Sequence, residues 1–201
     1  MQALILERLE SAGLAVSGDE SARLAAFLDL LLRWNRVHNL TAVVEPEEMI
    51  RRHLLESLAM RGHLRGQRIA DVGSGAGLPG IPLAIVEPGR HFTLIESRSK
   101  RAHFLSHVRG ALALANVDVE QARAEDLRGM APFATVLARA VAPLPELVEL
   151  TEHLLGDDGR LLVLTKADLA QATSGLDGYR VRRLDDGGLL EGSLIAVERK
   201  H

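Results

Sequence analysis

Apolar residues in the first third of the chain recur at helical spacing. Ser17 and Glu20 stand three residues apart, as in the capping box that begins many helices. The apolar positions that follow share one helical face: Leu24, Phe27, Leu28, Leu31 and Trp34. A second helix is predicted to begin at Pro46, because proline fits a first helical turn. The pattern therefore predicts a helical extension over residues 1–66.

From residue 68 onward the apolar positions come in short runs separated by helical patterns. These runs are almost continuously apolar, as in strands buried on both faces, and they cover 68–72, 92–96, 117–122, 134–138 and 161–165. Strand–helix alternation predicts an α/β fold with a mainly parallel sheet covered on both sides. The runs 179–184 and 193–200 have no helix between them, which predicts a closing antiparallel hairpin.

Composition narrows the class of protein. The 201 residues, 47% of them hydrophobic, suit one domain with a small appendage, so we expect the helical extension and an α/β core over 67–201 to fold as one compact unit. Cysteine is absent, so disulfides and thiolate metal sites are excluded. The first residues lack signal-peptide features and no run approaches transmembrane length. We expect a cytoplasmic monomer without a membrane partner.

The stretch DVGSGAGLPGIP, residues 71–82, carries the clearest chemical signal. It places Gly73, Gly75 and Gly77 directly after the first predicted strand, at the sheet edge where open α/β folds bind ligands. Backbone without side chains lets a cofactor approach closely. The next strand ends at Glu96, nineteen residues after Gly77, where a carboxylate can accept both hydroxyl protons of a ribose. Together they predict a ligand that contains adenosine.

A nicotinamide cofactor would use similar geometry, but the glycine spacing disfavours it. The dinucleotide fingerprint needs its third glycine three positions after the second, and that position holds Leu78. S-adenosylmethionine has no pyrophosphate and does not need that arrangement. The simpler alternative is that the glycines only shape a tight turn between strand and helix.

Six segments of the chain resemble one known family. They are NLTAV (39–43), RHLLESL (52–58), DVGSGAGLPGIPLAI (71–85), LIESRSKRAHFL (94–105), ARAEDL (122–127) and LARAVAPLPELV (137–148). In this order they resemble the bacterial GidB, or RsmG, family. Its members methylate N7 of a guanine in the decoding-region loop of 16S ribosomal RNA. The resemblance implies that the core over 67–201 has the Rossmann-like fold of class I methyltransferases, with a seven-stranded sheet. It also implies S-adenosylmethionine as cofactor, S-adenosylhomocysteine as product and small-subunit rRNA as partner.

The resemblance also implies positions for the cofactor contacts. They fall on Gly73, Leu78, Ala124, Glu125 and Arg139, and Glu96 stands where many members have aspartate; Gly75 and Gly77 complete the predicted set. Arg139 would contact the cofactor or the guanine, the alternative being a structural ion pair. We expect Arg139→Ala to keep the fold and lose most activity. After Lys166, where many members have glycine, this chain has Ala167.

No general base is expected, because guanine N7 carries no proton and the enzyme chiefly supplies proximity and alignment. The fourth strand ends in LARAVAP, which lacks the Asn/Asp-Pro-Pro-aromatic motif associated with methylation of exocyclic amines. No cysteine is present to attack a pyrimidine. The residues therefore agree with transfer to a ring nitrogen.

Each cluster of basic residues taken alone is more typical of a solvated helix face, but together with the resemblance the clusters predict contacts with RNA. The predicted RNA-binding residues are Arg98, Lys100, Arg101 and Lys166. Additional basic density in the extension comes from Arg33, Arg36, His38, Arg51, Arg52 and His53. His103 and His107 have i, i+4 spacing without a third ligand, so no metal site is expected. Trp34 is interpreted as core packing rather than base stacking.

Two other functions stay open on the residues alone. One is a methyltransferase that modifies a small metabolite. The other is a module that binds adenosine or RNA and catalyses nothing. The net charge of −3 argues against indiscriminate binding of nucleic acid but does not exclude a local basic face.

Overall fold

The computed structural model describes residues 1–139, 142–166, 175–184 and 187–200. Its strands are β1 (Arg68–Val72), β2 (His91–Ile95), β3 (Val117–Glu120), β4 (Phe133–Arg139), β5 (Leu155–Thr165), β6 (Tyr179–Leu184) and β7 (Ser193–Arg199). They form one sheet in the order β3-β2-β1-β4-β5-β7-β6. Strand β7 runs antiparallel to both β5 and β6, and the other pairs are parallel. This confirms the predicted mainly parallel sheet and its closing hairpin.

The ends of the strands lie within two residues of the predicted bounds except in β5. That strand begins at Leu155, six residues before the predicted apolar run at 161–165. Its first residues are rich in glycine and aspartate, so a prediction based on runs of apolar residues does not include them. The pairing of β5 with β4 also changes register between Phe133 and Thr135, so the early part of β5 is joined to the sheet by an irregularity.

Helices cover the sheet and build the N-terminal extension. They are α1 (Gln2–Ser11), α2 (Gly18–His38), α3 (Pro46–Met49), α4 (Glu56–Leu58), α5 (Gly80–Val86), α6 (Ser99–Ala111) and α7 (Leu144–Thr151). The capping box at the start of α2 is present: Ser17 Oγ accepts from the Glu20 amide at 3.1 Å and Glu20 Oε2 accepts from the Ser17 amide at 2.6 Å. Pro46 occupies the first turn of α3, as predicted.

A π-helical turn, Ile50–Leu55, joins α3 to α4. The sequence pattern predicted an ordinary helix here, because the apolar stripe of Ile50, Leu54 and Leu58 is compatible with either winding. A π-turn holds one extra residue, leaves a main-chain carbonyl without its usual partner, and occurs frequently at functional sites. This turn carries the side chains of Arg52 and His53.

The extension and the sheet share an apolar core. One cluster of buried side chains joins Leu28 of α2 to Phe104 of α6 and Leu137 of β4. Trp34 packs at its border, with its ring centroid 5.5 Å from that of Phe104, as the core-packing interpretation requires. In the described ranges no helix is both long and apolar enough to cross a membrane.

Candidate active site

The glycine loop follows β1 at the carboxyl edge of the sheet. Gly73, Gly75 and Gly77 have φ values of +67°, +56° and +82°, in the left-handed region that favours glycine. The amides of Gly73 and Ser74 both donate to the Ile95 carbonyl, at 2.9 and 3.2 Å, so the loop starts against β2. Gly73 itself remains exposed and presents bare backbone to solvent.

Glu96 closes this loop from the end of β2. One carboxylate oxygen accepts from the Gly75 amide at 2.9 Å and the other accepts from the Arg98 amide at 2.8 Å. The residue is 4% exposed, and Arg101 Nη1 lies 4.0 Å from its Oε2. A carboxylate has about four acceptor positions, so Glu96 keeps capacity for further donors after these two bonds. Glu96 can therefore hold the loop and still accept hydrogen bonds from the two hydroxyl groups of a ribose.

Asp71, at the end of β1, supports the loop from beneath. Its Oδ2 accepts from the Gly80 amide at 3.0 Å, and its main-chain carbonyl accepts from Ser74 Oγ at 2.7 Å. Burial raises the pKa of this carboxyl to about 7, against the opposing hydrogen bonds from Gly80 and Ser74. Space is tight here, since a Cβ built on Gly80 would lie 2.6 Å from Asp71 Oδ2. The loop conformation thus depends on glycine at position 80.

Two cavities meet at Gly73 and Glu96. The loop cavity, of about 400 Å³, is lined by Leu40, Thr41, His53, Gly73, Ser74, Gly75, Ala76, Leu78, Glu96, Arg98, Arg101 and Arg139. The strand cavity, of about 250 Å³, is lined by Val72, Gly73, Ile95, Glu96, Ser97, Ala122, Arg123, Ala124, Glu125, Glu146 and Leu150. A ligand that spans both cavities would pass over the Gly73 backbone and beside the Glu96 carboxylate.

The predicted cofactor residues divide between these cavities, with one exception. Leu78, Gly75 and Arg139 line the loop cavity, whereas Ala124 and Glu125 line the strand cavity. Gly77 lines neither cavity. A Cβ built there would lie 2.6 Å from Ile81 Cγ1 and 3.1 Å from Leu105 Cδ2, so the structure gives Gly77 a packing role.

Arg139 lies at the end of β4 and connects the sheet to the extension. Its Nη1 donates to the main-chain carbonyl of Arg52 at 2.8 Å, and its Nη2 lies 3.5 Å from Glu56 Oε2. The ion pair considered as the alternative from sequence is therefore present. Arg139 also lines the loop cavity, and burial lowers its pKa while Glu56 opposes that change. Both roles are available to one guanidinium.

His53 does not lie on the basic surface that the sequence pattern predicts for RNA. The residue is 2% exposed and burial lowers its pKa to about 4, with Arg139 as the next cause. Its Nε2 lies 3.1 Å from Thr41 Oγ1, which also accepts from the Val43 amide at 3.1 Å. The imidazole is thus a neutral wall of the loop cavity rather than part of a cationic surface.

The predicted RNA-binding residues lie at different places around the site. Arg98 and Arg101 line the loop cavity, and Lys100 is exposed on α6 without lining it. Lys166, at the end of β5, donates to Glu191 at 3.2 Å and lines a further cavity that also contains Arg139. Ala167, the departure from the family pattern, falls outside the described residues. No cluster of three metal-ligating side chains occurs in the described part of the chain.

The sequence patterns do not predict a place in these cavities for six of their lining residues, although two of the six, Arg52 and His53, are among the basic residues named for RNA: Leu40, Thr41, Arg52, His53, Glu56 and Ser74. A signal existed, because the segments NLTAV and RHLLESL carry five of them and belong to the resemblance. Periodicity could not find Arg52 and His53, since a π-turn rotates side chains away from the face that ordinary helical spacing assigns.

The residues present fit S-adenosylmethionine. The exposed Gly73 backbone and the Glu96 carboxylate suit a ribose, and the strand cavity beyond them is lined by apolar Val72, Ile95 and Leu150, which suits a flat base. The loop cavity on the other side is polar and open to solvent around Arg98 and Arg101.

Comparisons with known proteins match the chain to one family. A family model described as GidB, rRNA small subunit methyltransferase G, matches residues 20–176. A protein from Enterobacter sp. (strain 638) named Ribosomal RNA small subunit methyltransferase G is 45% identical over 198 residues, covering 96% of each chain. A protein of the same name from Erwinia tasmaniensis is 41% identical over 180 residues, covering 88% of this chain and 86% of its own.

Solved structures share the fold at low sequence identity. A methyltransferase from Geobacter sulfurreducens superposes with a TM-score of 0.62 at 15% identity, covering 98% of this chain and 96% of its own. A mutant of MtNAS solved in complex with S-adenosylmethionine gives a TM-score of 0.58 at 17% identity, covering 99% of this chain and 84% of its own. The fold is therefore that of class I S-adenosylmethionine-dependent methyltransferases.

Proposed function

The chain belongs to the GidB family, and from that membership we propose that it transfers a methyl group from S-adenosylmethionine to N7 of a guanine in the decoding-region loop of 16S rRNA. The observation that carries the proposal is the meeting of two cavities at Gly73 and Glu96. One cavity suits the nucleoside, and the other opens toward a basic surface. Action on small-subunit rRNA implies a cytoplasmic location, and we expect a monomer in which extension and core form one unit.

The cofactor, when bound, supplies a sulfonium methyl group that a ring nitrogen can attack in line. Glu96 would accept hydrogen bonds from the ribose hydroxyl groups, and the Gly73 backbone would lie against the ribose and its substituents. Ala124 and Glu125 would border the adenine through main-chain groups in the strand cavity. Leu78 and Arg139 would bound the reacting end in the loop cavity.

Transfer to N7 needs no residue to remove a proton, because that nitrogen has a free lone pair. The loop cavity agrees with this requirement: burial keeps His53 neutral with a pKa of about 4, and its Nε2 already pairs with Thr41. The protein would act mainly by holding the two reactants in line, which can contribute several orders of magnitude in rate. Positive charge moves from sulfur to the base, so surroundings suited to the sulfonium remain suitable in the transition state.

The RNA would approach over the start of α6. Arg98, Lys100 and Arg101 stand beside the open side of the loop cavity, where they can contact phosphates. The target guanine must leave its stack to reach the methyl group. If these residues bind phosphates, methyl transfer should fall steeply as salt rises, and Lys100→Glu should flatten that dependence.

The deciding experiment is transfer of labelled methyl groups. The purified protein is incubated with labelled S-adenosylmethionine and 16S rRNA or small subunits that lack the modification, and the product is mapped for 7-methylguanosine. We expect one labelled guanine in the decoding-region loop. Label appearing only in a small metabolite would support the metabolite alternative instead, and cofactor binding without any transfer would support a non-catalytic module.

A further inference from the structure

A third cavity, of about 420 Å³, lies between the extension and the end of β5 and shares Arg139 with the loop cavity. We call it the extension cavity; its polar side chains are Arg52, Glu56, Arg139, Thr165 and Lys166. Three of these are cations and one is a carboxylate. A basic cavity with a single acidic group on its wall suits a nucleotide whose base offers hydrogen-bond donors.

The single carboxylate belongs to Glu56, which is 5% exposed and stands on the first turn of α4. Its nearest ion-pair partner is Arg139 Nη2, at 3.5 Å, longer than the 2.7–2.9 Å usual for a charge-assisted hydrogen bond. Burial raises the pKa of Glu56, whereas Arg139, Arg52 and Arg51 lower it. A buried carboxylate in a loose pair keeps acceptor capacity toward the cavity that it lines.

We propose that Glu56 recognises the Watson–Crick edge of the target guanine in the extension cavity, accepting hydrogen bonds from N1–H and the N2 amino group. The inference rests on the proposed function, since it names the residue that selects the base. Guanine presents two adjacent N–H donors on this edge, whereas adenine, cytosine and uracil each present one donor group beside acceptors. A carboxylate with two acceptor oxygens therefore selects guanine.

This placement is consistent with attack by N7. N7 lies on the opposite edge of the purine from N1 and the N2 amino group, so a base read by Glu56 directs N7 away from the extension cavity. The neighbouring loop cavity, reached past Arg139, is where the methyl group would lie. One base can thus be held at one edge and methylated at the other.

Arg52 offers a complementary donor. Its Nε is buried and has no hydrogen-bond partner in the described part of the chain, and the residue lines the extension cavity. Guanine O6 adjoins N1 on the same edge and accepts hydrogen bonds, so a guanidinium beside the carboxylate matches its donor–donor–acceptor pattern. The pairing of Arg52 and Glu56, four residues apart on adjoining helical turns, presents both groups to one ligand.

The test compares two RNA substrates that differ by one amino group. Unmodified 16S rRNA is assembled by ligation with either guanosine or inosine at the mapped target, and methyl transfer is followed with enzyme in excess so that slow variants stay measurable. Inosine keeps N7, O6 and N1–H but lacks the N2 amino group. We expect the wild-type protein to methylate inosine about 10- to 100-fold more slowly than guanosine, the effect of one hydrogen bond to a charged acceptor.

Three variants complete the experiment. Glu56→Gln should slow transfer to guanosine and bring the guanosine-to-inosine ratio to within about twofold of one, because its amide places a donor against the donors of the base. Glu56→Asp should lower the rate but retain a preference for guanosine. Glu48→Gln removes an exposed carboxylate of the same extension, paired with Arg51 at 2.7 Å, and should behave as wild type.

The outcomes separate this inference from the proposed function. A Glu56→Gln protein with the wild-type ratio, or a wild-type protein indifferent to inosine, would overturn the role of Glu56 while leaving rRNA methylation intact. A wild-type protein that transfers no methyl group to RNA would overturn the proposed function and this inference with it. Because each ratio is measured within one variant, loss of stability alone cannot produce the expected change.

Discussion

The guanidinium of Arg139 donates from Nη1 to the main-chain carbonyl of Arg52 at 2.8 Å, across 87 residues of sequence. Arg52 lies in the π-helical turn Ile50–Leu55, where the extra residue frees a carbonyl from the usual helical pattern. The end of β4 thereby fastens the helical extension at the point where the loop and extension cavities meet. A single side chain thus lines both cavities and holds the extension against the sheet.

Replacing Arg139 with alanine should lower both stability and activity. The change removes the bond to the Arg52 carbonyl and leaves the buried Glu56 carboxylate without its cation, which costs about 2–4 kcal/mol. Urea denaturation measures the loss, and methyl transfer should fall strongly. This revises the sequence-based expectation that the fold would be unaffected. Arg139→Lys keeps the charge and should recover part of the stability. An alanine variant as stable as wild type would show that the contacts of Arg139 with the Arg52 carbonyl and Glu56 do not stabilise the fold.

Glu96→Gln should weaken binding of S-adenosylmethionine by about tenfold or more, measured by calorimetry. The amide nitrogen of glutamine would face one of the two backbone amides, those of Gly75 and Arg98, that the carboxylate now accepts from. The substitution would also remove a hydrogen-bond acceptor for the ribose hydroxyl groups. Glu120→Gln, at the end of the neighbouring strand and outside both cavities, is the matched control. Equal affinity in the two variants would argue against the assigned role.

Gly80→Ala should destabilise the fold by about 1–3 kcal/mol through overpacking. Its Cβ would lie 2.4 Å from Leu94 Cδ2 and 2.6 Å from Asp71 Oδ2, both well inside contact distance. Gly89→Ala is the control, since a Cβ there meets nothing within 4 Å. Thermal unfolding of the two variants checks the difference. We also expect the first variant to bind the cofactor less tightly, because Asp71 and Gly80 together support the loop.

The buried His53 should make the protein sensitive to acid. Its pKa is about 4 when folded and near 6.5 when unfolded, so the unfolded chain binds the proton first. The stability due to the neutral ring is present above pH 6.5 and is lost as pH falls toward 4, by up to about 3 kcal/mol. The free energy of unfolding of His53→Gln relative to wild type should therefore rise progressively as the pH falls from 6.5 to 4.

Denaturation of both proteins at each pH measures that trend. Asp71 has a raised pKa of about 7, so its contribution has the opposite sign: it is present below about pH 4 and is lost as pH rises through 7. Taking the difference between variant and wild type at each pH removes this contribution. A constant difference from pH 4 to 6.5 would show that His53 does not titrate as its burial requires.

Much of the fold follows from local pattern. The capping box at Ser17 and Glu20, the proline start at Pro46 and the boundaries of β1 agree with the sequence-based prediction, because each depends on neighbours within a few residues. The glycine loop and Glu96 were also identifiable, since spacing along one β-α-β unit brings them together. Gly77 shows the limit: its spacing resembles that of a ligand contact, yet Ile81 and Leu105 fill the space beside it.

By itself the sequence determined the alternation of strands and helices, the glycine loop with its distal acid, and the family. Only the tertiary structure decided that His53 is buried in the wall of the loop cavity, that Arg139 donates to a carbonyl of the π-turn, and that Glu56 lines a cavity that shares Arg139 with the loop cavity. The physical reason is the distance along the chain over which each kind of information acts. Periodicity records which face of an element is apolar, whereas desolvation and ion pairing depend on groups that packing brings from distant parts of the chain.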